Sequence, residues 1–254
     1  MPQLDPPFLT VILAVKDPDA AQFDACIASI AALRNSPRFD LVIVVSGRLP
    51  AISDSCKARL RSIHVVEQEP RGVYQAYNRG LDDVRAPYVM VMGGDDLLLP
   101  GLDKVLDSMA GKRRPHIVAA CALAEGSGIA RPTRFRWGLI FRVWCQQGLL
   151  YRSDIFATRR FDCHYPVQAD HKFNMELLSD PGTVVEYRDD VICHFSSAGL
   201  SSTRRDSFRD DMPSIVRKHY GLFFWIVALT KRSLADLIKR QPRRSQPRRK
   251  RVEL

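Results

Sequence analysis

Residues 89–106 read VMVMGGDDLLLPGLDKVL. The first four form an apolar run without polar alternation, which suits a strand buried on both faces. The run stops at Gly93-Gly94, where the missing side chains permit a tight turn and close approach to the backbone. Asp95 and Asp96 follow at once, and adjacent carboxylates at a strand end can hold a hard cation through oxygen ligands. A turn with an Asp capping the helix that starts near Pro100 uses the same residues equally well. Leu102, Val105, Leu106 and Met109 then recur at helical spacing, so the stretch reads as strand, acidic turn and amphipathic helix.

The same alternation runs upstream. Residues 8–15 are an apolar run of strand length, after which Asp17 and Pro18 suit the N-cap and first position of a helix whose Phe23, Cys26, Ile27 and Ile30 share a face. Residues 41–45, 63–66 and 88–92 are further strands, with Val73, Tyr77, Leu81 and Val84 marking one helix face between the last two. Buried strands alternating with amphipathic helices predict an α/β fold with a Rossmann-like, mostly parallel central sheet flanked by helices. Ligands of such sheets bind beyond the carboxyl ends of the strands. That rule selects Lys16-Asp17, Ser46-Gly47-Arg48 and Gly93-Gly94-Asp95-Asp96.

Beyond residue 110 the pattern is less regular. Residues 137–144 and 148–151 are apolar, 170–178 are helix-like, 191–195 strand-like, and 204–219 suit a polar helix. Residues 222–229 are strongly apolar but too short to span a bilayer. The last fourteen, QPRRSQPRRKRVEL, are a low-complexity basic segment expected to be disordered.

The chain has 254 residues, 46% hydrophobic and 26% charged, which suits a folded domain and excludes a disordered or fibrous chain. Its net charge is +10, from 38 Lys or Arg and 28 Asp or Glu. Ten of those bases and two of those acids lie from Lys231 onward, so the tail carries +8 and everything before it only +2. A nearly neutral body with a basic tail points away from a nucleic-acid partner. The six cysteines show no zinc spacing and are expected to be reduced, mostly buried thiols. The opening MPQLDPPFLTVILAV lacks a basic n-region and soon reaches Lys16 and Asp17, so neither a signal peptide nor a spanning helix is expected, and a cytoplasmic location follows.

Residues 69–92, EPRGVYQAYNRGLDDVRAPYVMVM, put Arg71-Gly72 ahead of a helix bearing Gln75 and Asn78 about one turn apart. Arg71 can face a phosphate and Asn78 can hydrogen-bond near the strand ends; a helix with a solvated polar face explains the same residues. Taken with Gly94-Asp95-Asp96, the order Gly72-Val73-Tyr74, Ala76-Tyr77-Asn78-Arg79-Gly80 resembles glycosyltransferase family 2, over roughly residues 8–202. The resemblance implies a GT-A fold and transfer of a sugar from a nucleotide-sugar donor to a hydroxyl acceptor, a glycan or lipid-linked oligosaccharide. It implies inversion and dependence on Mg²⁺ or Mn²⁺. It also implies a catalytic domain over residues 1–221, with a donor half to about 110 and a smaller acceptor half beyond. Residues 222–254 read as an apolar helix and basic tail: the apolar Leu222 to Val227 precede a concentrated cationic stretch, which suits peripheral docking on the inner face of an anionic membrane. A C-terminal helix packed on the domain with a solvated tail explains the apolar part equally well.

Carried over by position, the family's base-binding loop corresponds to Ala14, Val15, Lys16 and Asp17. Asp96 corresponds to the metal ligand and Asp95 to the acid that orients sugar or ribose. Arg71 and Asn78 join the donor side. In residues 161–178, FDCHYPVQADHKFNMELL, Asp170 occupies the position of the general base, with His171 in the aromatic position. A helix N-cap is the ordinary alternative for Asp170. Residues 193–205, CHFSSAGLSSTRR, resemble the loop that closes on the donor, with His194, Ser202 and Arg204 as candidates. This chain departs from the family at Val44-Val45-Ser46-Gly47-Arg48, where relatives commonly carry an Asp in the third place. It departs again at Gln146-Gln147, where they tend to have His-Gln; no role is assigned there. A nucleotidyltransferase and a noncatalytic nucleotide-sugar or membrane-binding protein are the competing readings, but Ala14-Val15-Lys16-Asp17 lacks the glycine- and basic-rich loop of the former.

Overall fold

The upstream apolar runs become β1 (Leu9–Lys16), β2 (Phe39–Ser46), β3 (Ser62–Glu67) and β4 (Tyr88–Gly93). All pair in parallel in the order β3-β2-β1-β4, joined through α1 (Ala20–Ala32), the short α2 (Asp54–Lys57) and α3 (Val73–Leu81). The structure, a computed structural model, describes residues 6–109, 114–196 and 206–240. The chain falls into two units, Met1–Phe208 and Arg209–Leu254.

The expected helix faces are the buried ones. Phe23, Cys26, Ile27 and Ile30 of α1 and Leu102, Val105, Leu106 and Met109 of α4 (Gly101–Met109) join one core with Leu13, Ile43 and Met90. Burial of each large aliphatic or aromatic side chain there contributes roughly 1.5–3 kcal/mol. One boundary is corrected. Asp19, not Asp17, caps α1, accepting the Gln22 N–H at 3.0 Å. β1 runs on to Lys16, and Asp17 is occupied by another loop.

The sheet continues past β4 through strands of a different kind. After β5 (Leu97–Leu98) come β6 (Ile117–Ala124), β7 (Gly128–Ala130), β8 (Leu149–Arg152) and β9 (Val185–Phe195), and the order runs on as β4-β8-β6-β9-β5. Here β8 is antiparallel to both β4 and β6, and β5 to β9, while β6 and β9 are parallel. The mostly parallel sheet expected from sequence therefore holds for the first half and gives way to a mixed sheet in the second. No crossover helix separates β6 from β8, and an antiparallel return needs none. α5 (Ala169–Ser179) lies between β8 and β9 in sequence.

The helix α6 (Phe208–Arg240), in the second unit from Arg209 on, starts later than the helix expected from residue 204 and breaks at Gly221, whose φ is 87°. Residues 241–254 lie outside the described residues. Among the described residues no helix is long and apolar enough to cross a membrane. All six cysteines are free thiols, with Cys26, Cys121 and Cys193 buried and Cys163 exposed.

Candidate active site

The parallel register brings the three selected loops side by side. Ala14 lies opposite Val44 on one side and Gly93 on the other, and Lys16 lies opposite Ser46. Asp17, at φ 40°, is held in a left-handed conformation uncommon outside glycine. Its N–H donates to Ser46 O at 3.1 Å and its Oδ1 accepts the Arg48 N–H at 3.2 Å. Gly47 (φ 92°) makes this arrangement fit, because a Cβ there would lie 2.0 Å from Asp17 Oδ1. Beyond these strand ends opens a cleft of about 490 Å³, lined by Asp17, Pro18, Ala20, Arg48, Pro50 and Ala51. Lys16 and Asp17 are exposed at its edge, Ala14 is half-buried, and Val15 turns its side chain into the core.

At the end of β4, Asp95 is exposed and Asp96 only 3% exposed. Asp96 Oδ2 accepts the Gly93 N–H at 2.8 Å and Gln147 Nε2 at 3.1 Å. Burial pushes its carboxyl up to about 6; the Gly93 N–H and Gln147 oppose the rise and the charge of Asp95 adds to it. Gly93 leaves room for the pair, since a Cβ there would lie 2.5 Å from Asp95 Oδ1. The antiparallel register sets His194 opposite Leu97, one residue past Asp96. Among the described residues no group of three or more His, Cys, Asp or Glu is placed to hold a metal. A cation held here by Asp95 or Asp96 would need water and substrate phosphate as its further ligands, which suits Mg²⁺.

Asp170 sits in the first turn of α5, two residues past Gln168 at the N-cap position, and its carboxylate accepts the main-chain N–H groups of His171 and of Asp170 itself. The main-chain N–H groups of Val167 and Gln168 are taken by Asp206 Oδ2, at 3.0 and 2.9 Å. Asp170 is buried, and its Oδ1 lies 2.6 Å from the Tyr74 hydroxyl, which also lies 2.8 Å from Val167 O. Burial pushes the Asp170 carboxyl up to about 6, against the Tyr74 hydrogen bond. Tyr77, one turn along α3, is raised by burial and then by the charges of Asp96, Asp170 and Asp95. All three carboxylates thus converge electrostatically on one tyrosine.

Other expected residues are placed apart. Arg71 is exposed ahead of α3 and makes no ion pair among the described residues. Asn78 clamps Phe161 instead: its Nδ2 donates to Phe161 O at 2.8 Å and its Oδ1 accepts the Phe161 N–H at 2.9 Å. Ser202 and Arg204 lie outside the described residues. The sequence reading gave no part to Gln147, Tyr74 or Tyr77. Signals existed for all three, in the Gln146-Gln147 pair and in the motif containing both tyrosines.

Comparisons with known proteins follow the same lines. Residues 10–173 match the profile described as Glycosyl transferase family 2. A PGL/p-HBAD biosynthesis glycosyltransferase of Mycobacterium tuberculosis is 32% identical over 200 residues, covering 72% of this chain and 75% of that protein. Among solved structures, S. aureus TarS superposes with a TM-score of 0.61 at 13% identity over 82% of this chain, which spans 39% of TarS. TarS residues 1–349 have also been solved with UDP and with UDP-GlcNAc. The mannosyltransferase PcManGT from Pyrobaculum calidifontis, solved with GDP-Man and Mn²⁺, gives 0.53 at 16% identity, over 85% of this chain and 63% of its own. At these identities the solved structures establish the GT-A fold alone.

Proposed function

This chain belongs to glycosyl transferase family 2 and is a glycosyltransferase of GT-A fold; from that premise we propose that it transfers a sugar, with inversion and metal dependence, from a nucleotide-sugar to a hydroxyl of a glycan or lipid-linked acceptor. Family membership leaves the nucleotidyltransferase and binding-only readings without support. The observation that carries the finer reading is the convergence of buried Asp96 and buried Asp170 on Tyr77.

In this reading the cleft takes the nucleotide, against Ala14 to Asp17. Arg71 and His194, with Ser202 and Arg204, attend the diphosphate, and Asp95 orients the sugar or ribose. Asn78 acts at one remove by holding the Phe161 loop. An acceptor oxygen forms the new bond to the anomeric carbon, and the bond to the diphosphate oxygen breaks with its electron pair leaving on phosphate. Asp170 takes the acceptor proton; its pKa of about 6 leaves it ionised at neutral pH and more basic than an ordinary carboxylate. Mg²⁺ or Mn²⁺ held by Asp96 and the donor phosphates would stabilise the charge of the leaving diphosphate. The residues fit such an ion: Asp96 is a desolvated carboxylate beside Asp95, and a cation would relieve the raised pKa.

The purified chain should hydrolyse one member of a nucleotide-sugar panel selectively, and only with Mg²⁺ or Mn²⁺. Hydrolysis unaffected by chelation would sink the metal assignment, and a product that keeps the donor's anomeric configuration would sink inversion. Tyr74→Phe tests the base. Losing a hydrogen bond to a charged group, worth about 1.5–3 kcal/mol, should move the acid limb of the pH–rate profile upward by about one to two units. The sign follows because that bond lowers the Asp170 pKa. An unmoved limb would mean that Asp170 does not control the rate.

Residues 1–221 would form the catalytic body. Leu222, Phe223 and Ile226 are exposed on α6 ahead of the basic segment, and this supports an anionic membrane as a contact of the tail. A cytoplasmic enzyme, peripheral on the inner membrane face, accords with that contact.

A further inference from the structure

Four large apolar side chains stand out from one short segment of the first unit. Phe135 is 63% exposed, Trp137 43%, Phe141 43% and Val143 54%. They are not loose. Phe135 stacks on Trp137 with ring centroids 5.3 Å apart, and Trp137 meets Phe141 edge-on at 6.0 Å. Arg136, between the first two, points the other way and donates to the carbonyls of Leu178, Asp180, Pro181 and Thr183 at the end of α5. Leu139 and Ile140 are buried, and Trp144 Nε1 donates to Thr133 Oγ1 at 3.1 Å. The segment therefore has its own inward anchors. An apolar cluster of this kind on a rigid frame marks an interaction surface.

Its charge says which. Residues 131–143 contain Arg131, Arg134, Arg136 and Arg142 and no acid. Arg131 and Arg134 share the single carboxylate of Asp189, and Arg142 is exposed. Tryptophan and phenylalanine beside the exposed Arg142 suit a bilayer interface, where rings enter the acyl boundary and cations meet anionic headgroups. The position suits it too. Val143 lies only four positions before Gln147, a reach of at most about 14 Å, and Gln147 bonds Asp96.

We propose that Phe135, Trp137, Phe141 and Val143, with Arg142, form a docking surface for an anionic phospholipid bilayer that brings the site to the membrane. This surface belongs to residues 135–143 and not to residues 222–254, and vesicle binding measures it without reference to the catalytic reading. The full chain would be sedimented with phosphatidylcholine vesicles, with and without phosphatidylglycerol. Binding is expected only with phosphatidylglycerol and should weaken in high salt. The triple variant Phe135→Ser, Trp137→Ser, Phe141→Ser should bind at least about tenfold more weakly while its donor hydrolysis in solution stays at parental level. If the triple variant misfolds, Phe135→Ser alone and Arg142→Glu should each weaken binding measurably. Parental binding by the patch variants overturns the proposal, as does binding lost only on Leu222→Ser with Phe223→Ser. A dimer that the patch variants dissolve, with no vesicle binding by the parent, overturns it in favour of an interface between two copies.

Discussion

Asp170→Asn should lower turnover by on the order of 10²- to 10⁴-fold, the usual loss when a general base is removed, with donor affinity unchanged. Asn keeps the shape and can still accept the Tyr74 hydroxyl, so the contact at 2.6 Å survives. Stability separates this from a structural role. The folded pKa of about 6 lies above the ordinary value of 3.8, so the folded protein binds more protons than the unfolded chain between those values. Stability attributable to Asp170 therefore falls as pH rises from about 4 to about 6, and the burden is complete above that window. Asp170→Asn removes it. At pH 7.5 the melting temperature should hold or rise, whereas loss of a helix cap would lower stability by about 1 kcal/mol. Near-parental turnover in a destabilised variant would leave Asp170 as a structural residue.

Asp96→Asn should weaken metal-dependent donor binding by on the order of 10²-fold or more, since disturbing groups that only support a metal ligand already costs 10- to 100-fold. The amide is the better substitution than Ala. Ala would strand the Gly93 N–H and Gln147 Nε2 in a buried place, costing about 1–3 kcal/mol each and confusing unfolding with lost binding. Titration of Mn²⁺ and nucleoside diphosphate by calorimetry, beside a melting curve, reads both quantities. Parental Mn²⁺ and diphosphate affinity in Asp96→Asn would remove the metal assignment.

Much of this was legible before the structure. The parallel half could be read because a strand buried on both faces must be apolar throughout and its crossover helix must show one apolar face. The runs at residues 8–15, 41–45 and 88–92 and the periodic Phe23, Cys26, Ile27 and Ile30 carry that signal in local order. The acidic strand end was legible because glycines and adjacent carboxylates leave a mark in a few consecutive residues.

By itself, then, the sequence determined the α/β class, located the loops at the ends of the parallel strands and singled out Asp96 and Asp170 as candidate acids. Tertiary structure alone decided the rest. β6 is IVAACALA, a buried strand rich in alanine that carries little β-propensity, so its extended conformation comes from the neighbours β8 and β9. Strand direction in the second half is likewise invisible locally, because an apolar run reads the same whichever way it pairs. The environment of each acid is non-local too. Asp170 meets Tyr74 across 96 positions and Asp96 meets Gln147 across 51. Both carboxyls are pushed to about 6 by desolvation first, and desolvation depends on everything packed around a group, whereas sequence specifies only the group itself.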